Sequence, residues 1–181
     1  MVNVACAQIK ILEGKGYRKN LSTMLYYISE AAKNKVDIVC FPETCLVKST
    51  NKKTVSHVVF AFLLNSIVTA CSENKIHCIF STNIYEKGKM FNRAYLIDDK
   101  GKILFKYDKV NLFRSEKNLT AGKKSNIVKT KFGKIGVIIC WDSAFPEFVK
   151  ELSQKGAEII FCPSYIKNYG RELESYLQLP Y

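Results

Sequence analysis

The sequence has few histidines and lacks several motifs that mark common catalytic sites. There are two histidines among 181 residues, His57 in a predicted helix and His77 at the start of a predicted strand. Neither has neighbours that suggest a catalytic base, although a Cys–His pair stays open at this stage. The sequence also contains no Gly-x-Ser-x-Gly elbow, phosphate-binding loop or dinucleotide fingerprint. It therefore offers no motif for a serine hydrolase or a nucleotide-binding enzyme.

Long apolar runs are missing as well. The longest apolar stretch, Val58–Cys71, contains Asn65, Ser66 and Thr69 and is too short to span a bilayer. No basic, cleavable leader precedes the apolar segment Val2–Ile9. We therefore expect a soluble, cytoplasmic protein that has no membrane partner.

The cysteines do not fit a disulfide framework or a zinc site. Their number is odd, no two have Cys-x-x-Cys spacing, and most lie in apolar runs. We expect reduced thiols, most of them small buried hydrophobes, as in a cytosolic protein. The seven cysteines are Cys6, Cys40, Cys45, Cys71, Cys78, Cys140 and Cys162.

Acidic residues are far fewer than basic ones. The chain has 28 lysines and arginines against 16 aspartates and glutamates, which gives a net charge of +12. A basic face attracts nucleic-acid phosphates, and ten lysines fall between Lys100 and Lys134. These lysines are scattered singly, without interleaved aromatic residues or a known binding motif. A solvated lysine-rich surface is therefore favoured, and we expect no nucleic-acid partner.

Apolar periodicity predicts strands that alternate with helices at both ends of the chain, with hairpins between them. With 181 residues, 48% of them hydrophobic, the chain is long enough for one domain with a sizeable core. This pattern predicts an α/β layered domain with a mixed sheet and a loop over residues 109–121. The predicted helices cover residues 17–34, 54–74, 145–155 and 172–179, and the predicted strands 2–9, 36–41, 76–83, 92–98, 102–107, 126–130, 134–140 and 158–162.

Three of the predicted strands lead into reactive side chains. Glu43 follows the second strand, Lys109 follows the fifth, and Cys140 ends the seventh. Functional groups in α/β sheets gather where strands end and loops begin, so these three could share one pocket. Spacing alone also allows structural roles: a helix first-turn glutamate, one lysine among many, and a buried cysteine.

The chemistry of these three side chains is complementary. A thiol in a strand-to-helix turn gains from helix N-terminal amides, which favour the thiolate, and Cys140 precedes such a turn. A partly desolvated carboxylate such as Glu43, at a core edge, is a usable base near neutral pH. An ammonium such as Lys109 in a pocket can hold a developing oxyanion.

The chain resembles the nitrilase, or carbon–nitrogen hydrolase, superfamily over nearly its whole length. The opening strand is similar to that of the family, and three later segments match, in order, its motifs for a catalytic glutamate, a lysine and a cysteine. Each motif is weak to moderate alone, but three in order at fitting separations are strong. The matching segments are residues 41–44 (FPET), 107–113 (YDKVNLF) and 136–142 (GVIICWD) followed by 145–147 (FPE), with 156–164 similar to the next strand.

This resemblance implies an α-β-β-α sandwich and a catalytic triad of Glu43, Lys109 and Cys140. The implied reaction is hydrolysis of a small amide or N-carbamoyl compound through a cysteine thioester, with release of ammonia or an amine. The backbone N–H of Trp141 would help Lys109 to hold the oxyanion. Glu116 fits loosely the place of a second glutamate that orients the lysine. No metal and no cofactor are implied.

Within the superfamily, Asp142 resembles the amidase and carbamoylase branches, because true nitrilases tend to have glutamate there. Ala144 stands where many amidases carry arginine, so a local ion pair is expected to be absent. Family members continue well past the strand at 158–162. We therefore expect residues 1–181 to form a single carbon–nitrogen hydrolase domain that is incomplete at its C-terminus. A homo-oligomer or a complementing chain is expected as a partner.

Two alternatives from other classes stay open. A truncated, non-catalytic or regulatory interaction subunit with the same fold would bind without turnover. A companion chain that supplies the remaining segment would favour the enzyme instead. A basic nucleic-acid-binding domain would show steeply salt-dependent binding.

Overall fold

The computed structural model describes residues 1–49, 51 and 54–166, and the predicted helix at 172–179 lies outside them. The described part contains eight strands and three α-helices, joined by short loops and two 3₁₀ turns. In chain order these are β1 (Val4–Cys6), α1 (Tyr17–Lys33), β2 (Ile38–Cys40), α2 (His57–Asn74), β3 (His77–Glu86), β4 (Lys89–Ile97), β5 (Ile103–Asp108), β6 (Ile127–Thr130), β7 (Gly133–Val137), α3 (Pro146–Gln154) and β8 (Ile159–Phe161), with 3₁₀ turns at Gly14–Gly16 and Cys140–Ala144.

The strands form two mixed sheets. In the first, with strand order β1-β2-β3-β4-β5, the first three strands are parallel and the last two continue as an antiparallel meander. In the second, β6 pairs antiparallel with β7, and β7 pairs parallel with β8. Each parallel connection passes through a helix, as parallel pairing requires. The predicted mixed sheet is confirmed.

Two apolar cores separate the layers. Neighbouring residues of one strand face different cores, because side chains alternate along a strand: Phe80 belongs to the core under α1 and α2, and Ile79 to the core between the sheets. Helix α3 covers the second sheet, and its Leu152 is almost fully buried. The layers follow as α1 and α2, first sheet, second sheet, α3, so the expected α-β-β-α sandwich is confirmed.

The two long helices bury one face each. In α1 the buried residues Leu21, Met24 and Ile28 recur at helical spacing, which is the pattern that predicted the helix. Helix α2 begins at His57, three residues later than predicted, because Ser56 is its N-cap and accepts a hydrogen bond from Val59 N at 3.3 Å.

Several strand predictions were wrong at their ends. β1 covers only Val4–Cys6 of the predicted 2–9, and β4 begins at Lys89, three residues earlier than predicted. β3 was predicted to end at Asn83, but it continues to Glu86 and forms a tight hairpin with β4. Lys87 and Gly88 both have positive φ, of 49° and 80°, as a two-residue hairpin turn requires. β7 ends at Val137, not at Cys140, because the chain turns there into the 3₁₀ segment.

The cysteines behave largely as predicted. All seven lie in the described part of the chain, all are free, and five of them are buried. Burial raises the pKa of the Cys40, Cys45 and Cys78 thiols, since a low-dielectric core disfavours the thiolate. Across residues 1–49, 51 and 54–166, no helix is both long and apolar enough to cross a membrane.

Candidate active site

Glu43 lies in the turn that follows β2 and is 5% exposed. Its Oε1 accepts hydrogen bonds from Lys109 Nζ and Asn92 Nδ2, each at 2.8 Å, and its Oε2 accepts one from Tyr165 N at 3.1 Å. The alternative that Glu43 belongs to a helix first turn is wrong, since α2 begins only at His57. Three donors therefore hold this carboxylate at one end of the first sheet.

Lys109 follows β5 directly and is 1% exposed. Its backbone N–H donates to Asn92 O at 2.9 Å, and its Nζ donates to Glu43 Oε1 and Glu116 Oε2, both at 2.8 Å. Burial works against the charged ammonium, but the attraction of Glu43 and Glu116 outweighs it, so the pKa of Lys109 is raised above the ordinary lysine value. Lys109 is therefore a cation at neutral pH.

Glu116 lies in the predicted loop after β5. Its Oε2 accepts a hydrogen bond from Phe113 N at 2.7 Å in addition to the one from Lys109, and its backbone N–H donates to Phe113 O at 2.8 Å. This reciprocal pairing closes the loop around the Lys109 ammonium. The structure thus places Glu116 in direct contact with Lys109.

Cys140 stands at the sharp turn between β7 and α3. It has a φ of 45°, in the left-handed region, and is 7% exposed. A non-glycine residue in this conformation costs about 1–2 kcal/mol, so the surrounding contacts must hold it there. Its N–H donates to Pro163 O at 3.0 Å, and its carbonyl accepts from Ser143 Oγ at 2.8 Å.

Asp142 joins this turn to the segment that carries Lys109. The side chain is fully buried. Its Oδ2 accepts hydrogen bonds from Tyr107 OH at 2.6 Å and Ile139 N at 2.9 Å, and its Oδ1 accepts from Asn111 N at 2.8 Å and Asn111 Nδ2 at 3.1 Å. Burial and the neighbouring Asp142 carboxylate raise the pKa of Tyr107, which therefore stays a hydrogen-bond donor.

The segment after β8 joins the cysteine turn to the glutamate turn. Pro163 O accepts from Cys140 N, Ser164 O accepts from Glu43 N at 3.4 Å, and Tyr165 N donates to Glu43 Oε2. Three consecutive residues thus pair with both turns. Glu43 and Lys109 are in direct contact. The cysteine turn is joined to the segment of Lys109 through Asp142 and to Glu43 through residues 163–165.

Trp141 packs its indole between the lysine loop and the start of α3. The ring lies edge-on to Phe113, with centroids 4.9 Å apart, and to Phe145 at 6.5 Å. This packing fixes the residue that directly follows the cysteine. The two histidines lie where the sequence predicted, His57 at the start of α2 and His77 at the start of β3 with its ring 5.0 Å from Phe132.

Sequence reasoning missed several members of this site. Asn92 and the backbone of Tyr165 were not predicted to contact Glu43, and Tyr107 and Asn111 were noted only as letters of a motif. Their contacts join positions 31 to 122 residues apart, which no local pattern reports. No group of three or more His, Cys, Asp or Glu side chains in the described residues is arranged to hold a metal ion.

Comparison with known proteins gives the family and the fold. Residues 3–178 match the model of a family described as carbon–nitrogen hydrolase. The chain is 28% identical over 174 residues to nitrilase homolog 2 of Dictyostelium discoideum, covering 87% of this chain and 52% of that protein. It is 35% identical over 86 residues to omega-amidase NIT3 of Saccharomyces cerevisiae, covering 42% of this chain and 30% of that protein.

Among solved structures, a variant of an amidase from Nesterenkonia sp. AN1 superposes with a TM-score of 0.87 at 17% identity, covering 96% of this chain and 70% of that one. That structure records Michael addition of acrylamide at the active-site cysteine of the amidase. At this identity the likeness concerns the fold. The chain spans about half of the length of the Dictyostelium relative.

Proposed function

The chain belongs to the carbon–nitrogen hydrolase family, and from this membership we propose that it hydrolyses a small amide or N-carbamoyl compound through a thioester on Cys140. One observation carries the proposal. A buried ammonium, Lys109, contacts the carboxylates of Glu43 and Glu116 at 2.8 Å each, in a segment tied to the cysteine turn. A base, a fixed cation and a thiol are the groups that acyl transfer to cysteine needs.

In the first half of the proposed reaction, Glu43 takes the thiol proton of Cys140 as the sulfur attacks the carbonyl carbon. The carbon–sulfur bond forms while the carbonyl π electrons move to oxygen. The Lys109 ammonium and the Trp141 backbone N–H hold this oxyanion. When the carbonyl re-forms, the carbon–nitrogen bond breaks, and Glu43 gives its proton to the nitrogen, which leaves as ammonia or an amine.

In the second half, Glu43 takes a proton from a water molecule as its oxygen attacks the thioester carbon. The same two donors hold the second oxyanion. Collapse breaks the carbon–sulfur bond, and the proton returns from Glu43 to the sulfur of Cys140. The sum is amide plus water giving carboxylic acid plus ammonia or amine, with the enzyme unchanged.

The charge states of the site suit these roles. Because the pKa of Lys109 is raised, the residue donates hydrogen bonds as a cation and does not serve as the base. Glu43 Oε1 accepts two side-chain donors, while Oε2 accepts one backbone N–H at the longer distance of 3.1 Å. We therefore assign the proton transfers to Oε2 of Glu43.

Amide substrates are favoured over nitriles in this proposal. Asp142 follows Trp141, as in the amidase and carbamoylase branches. Similarity to a yeast protein named as an omega-amidase and to a bacterial amidase with an active-site cysteine supports the same class. The proposal includes a cytoplasmic protein that works as a homo-oligomer or with a complementing chain.

The test is ammonia release from a panel of small amides and N-carbamoyl compounds by the purified 181-residue chain. Cys140→Ala is the informative variant, and Cys6→Ala is its matched control, because Cys6 is an exposed thiol on β1. We expect release that Cys140→Ala abolishes and Cys6→Ala leaves unchanged. No release from a folded wild-type chain, alone or as an oligomer, would leave the non-catalytic interaction subunit as the better hypothesis.

A further inference from the structure

The Asp142 carboxylate draws all four of its hydrogen bonds from two short segments. Tyr107 and Asn111 lie two residues before and two residues after Lys109, and Ile139 immediately precedes Cys140. Each of the two oxygens accepts two donors, and the residue is 0% exposed. A single buried side chain therefore connects the lysine segment with the cysteine turn.

Within the turn, Asp142 pairs with Ile139 in both directions. Ile139 N donates to Asp142 Oδ2 at 2.9 Å, and Asp142 N donates to Ile139 O at 3.0 Å. These two bonds close a ring around Cys140, whose φ of 45° is unfavourable for a residue with a side chain. Hydrogen bonds to a charged group are among the stronger ones in proteins, so this carboxylate is well suited to hold the strained turn.

From this geometry we infer that Asp142 is a positioning residue: its carboxylate keeps Cys140 in the left-handed turn and sets the place of the Lys109 segment relative to the thiol. Where it concerns turnover, the inference rests on the proposed function. Where it concerns the place of the thiol, it rests on the hydrogen bonds alone. The two parts can be tested separately.

The chemistry of the site requires aspartate. Asparagine has the same shape, but its NH₂ group would replace one of the two carboxylate oxygens and would face hydrogen-bond donors there. At Oδ1 these donors belong to Asn111, and at Oδ2 they belong to Ile139 and Tyr107. At least one buried or partly buried backbone N–H would then lose its acceptor, which is costly. Glutamate keeps the charge but adds a methylene where the side chain is already fully buried. Both changes should displace the turn.

The experiment uses the rate of alkylation of Cys140 to report on the position of its thiol, and it needs no substrate. The full chain is treated with iodoacetamide, and alkylation of Cys140 and of Cys6 is followed by mass spectrometry in the same sample. Cys6 is exposed and serves as the internal reference. The variants are Asp142→Asn and the milder Tyr107→Phe, which removes one donor and is the informative variant if the first does not fold.

The matched control is Asp98→Asn. Asp98 Oδ1 accepts backbone hydrogen bonds from Lys100 at 2.9 Å and Lys102 at 2.7 Å, in the turn between β4 and β5. The chemical change is the same as at Asp142, but this turn lies at the end of β5 opposite to Lys109. Asp98→Asn therefore shows the effect of losing a turn carboxylate at a site remote from Cys140.

We expect Asp142→Asn to change the ratio of Cys140 to Cys6 alkylation by about tenfold or more, and Tyr107→Phe to change it by about threefold, since small displacements of a reactive group have large effects on rate. Asp98→Asn should leave the ratio unchanged. On a hydrolysed amide, Asp142→Asn should lower kcat by about tenfold or more with KM within about threefold of wild type.

The outcomes separate the two claims. An unchanged ratio in folded Asp142→Asn or in Tyr107→Phe would overturn the inference, whether or not wild type hydrolyses amides. A changed ratio in a chain that hydrolyses nothing would uphold the positioning role while the proposed function fails. If Asp98→Asn changed the alkylation ratio as strongly as Asp142→Asn does, the inference would also be overturned, because the effect would not be specific to the cysteine turn.

Discussion

The ammonium nitrogen of Lys109 lies 2.8 Å from Oε1 of Glu43, and both side chains are almost entirely buried. A second carboxylate, Glu116, lies at the same distance from that nitrogen. Two carboxylates thus share one cation in a region from which water is largely excluded. Removing one partner of such a group leaves an uncompensated buried charge, which costs far more than the pair itself contributes.

The first prediction follows from this shared cation. Lys109→Met should lower the free energy of unfolding by about 3–5 kcal/mol, because the buried carboxylate of Glu43 and the partly buried one of Glu116 lose their only cationic contact in the described part of the site. Urea unfolding followed by circular dichroism measures this. Lys33→Met is the control, since Lys33 pairs with Glu30 at the exposed surface of α1 and should change stability little. Equal losses in the two variants would contradict the prediction.

Glu116→Gln is expected to disturb the orientation of Lys109 while leaving substrate binding nearly unchanged. Lys109 and Phe113 both donate to Oε2 of Glu116, so the amide oxygen of glutamine can still accept from both, but the charge that helps to hold the ammonium is removed. We expect kcat for amide hydrolysis to fall by about 10–100-fold, with KM changed much less, because Lys109, the proposed oxyanion donor, would be displaced. Steady-state kinetics on any hydrolysed amide measures this. Glu30→Gln on the surface of α1 is the control and should be neutral.

The pH dependence of stability follows from the direction of the Lys109 shift. The pKa of Lys109 is higher in the folded chain than in the unfolded one, where it is near the ordinary lysine value of about 10.4. Its contribution is therefore fully present below about pH 10 and is lost as the pH rises through the folded value. Unfolding in urea at pH 8 and pH 11 measures this. The stability difference between wild type and Lys109→Met should narrow at pH 11, and a difference that widens would refute it.

The left-handed conformation at Cys140 predicts an unusual order of two substitutions. Glycine adopts a φ of 45° without steric cost, so Cys140→Gly should be as stable as Cys140→Ala or more stable by about 1 kcal/mol. Thermal unfolding measures the difference. The same pair of substitutions at Ser66, inside α2, provides the control. There alanine should be the more stable by about 1 kcal/mol, because glycine is unfavourable within a helix.

Gly122 is predicted to be a position where no side chain fits. Its backbone N–H donates to Lys109 O at 2.8 Å, and a Cβ added there would overlap with the backbone carbonyl of Asp108. Gly122→Ala should therefore destabilise the chain by about 1–3 kcal/mol and displace the segment that carries Lys109. Thermal unfolding and turnover measure the two effects. Gly14→Ala is the control. A Cβ at Gly14 has open space, so only the cost of its positive φ remains, and the loss of stability should be smaller than for Gly122→Ala.

The sequence was a good guide to the elements and a weaker one to their ends. Buried residues at helical spacing predicted α1 within one residue of its observed end. The start of α2 was missed by three residues, since the Ser56 hydrogen bond, not hydrophobicity, decides where that helix begins. The β3–β4 hairpin was missed beyond Asn83 because its two-residue turn at Lys87 and Gly88 carries only one glycine as a signal.

For the candidate site, the sequence alone determined the identity of the reactive side chains and, through three ordered motifs, the family and its sandwich. It also determined where each group falls along the chain, because apolar strands end just before Glu43 and Lys109. These are local properties, set by side-chain chemistry and by the period of the backbone.

Only the tertiary structure decided which groups meet. Asn92 reaches Glu43 across 49 residues of chain, Tyr107 reaches Asp142 across 35, and Tyr165 reaches Glu43 across 122. Such contacts depend on how two sheets stack and where their loops converge, and no local periodicity encodes that. The sequence therefore determined which reactive side chains the chain carries. The packing of the two sheets brought the charged groups together, which raised the pKa of Lys109, and it closed the turn around Cys140.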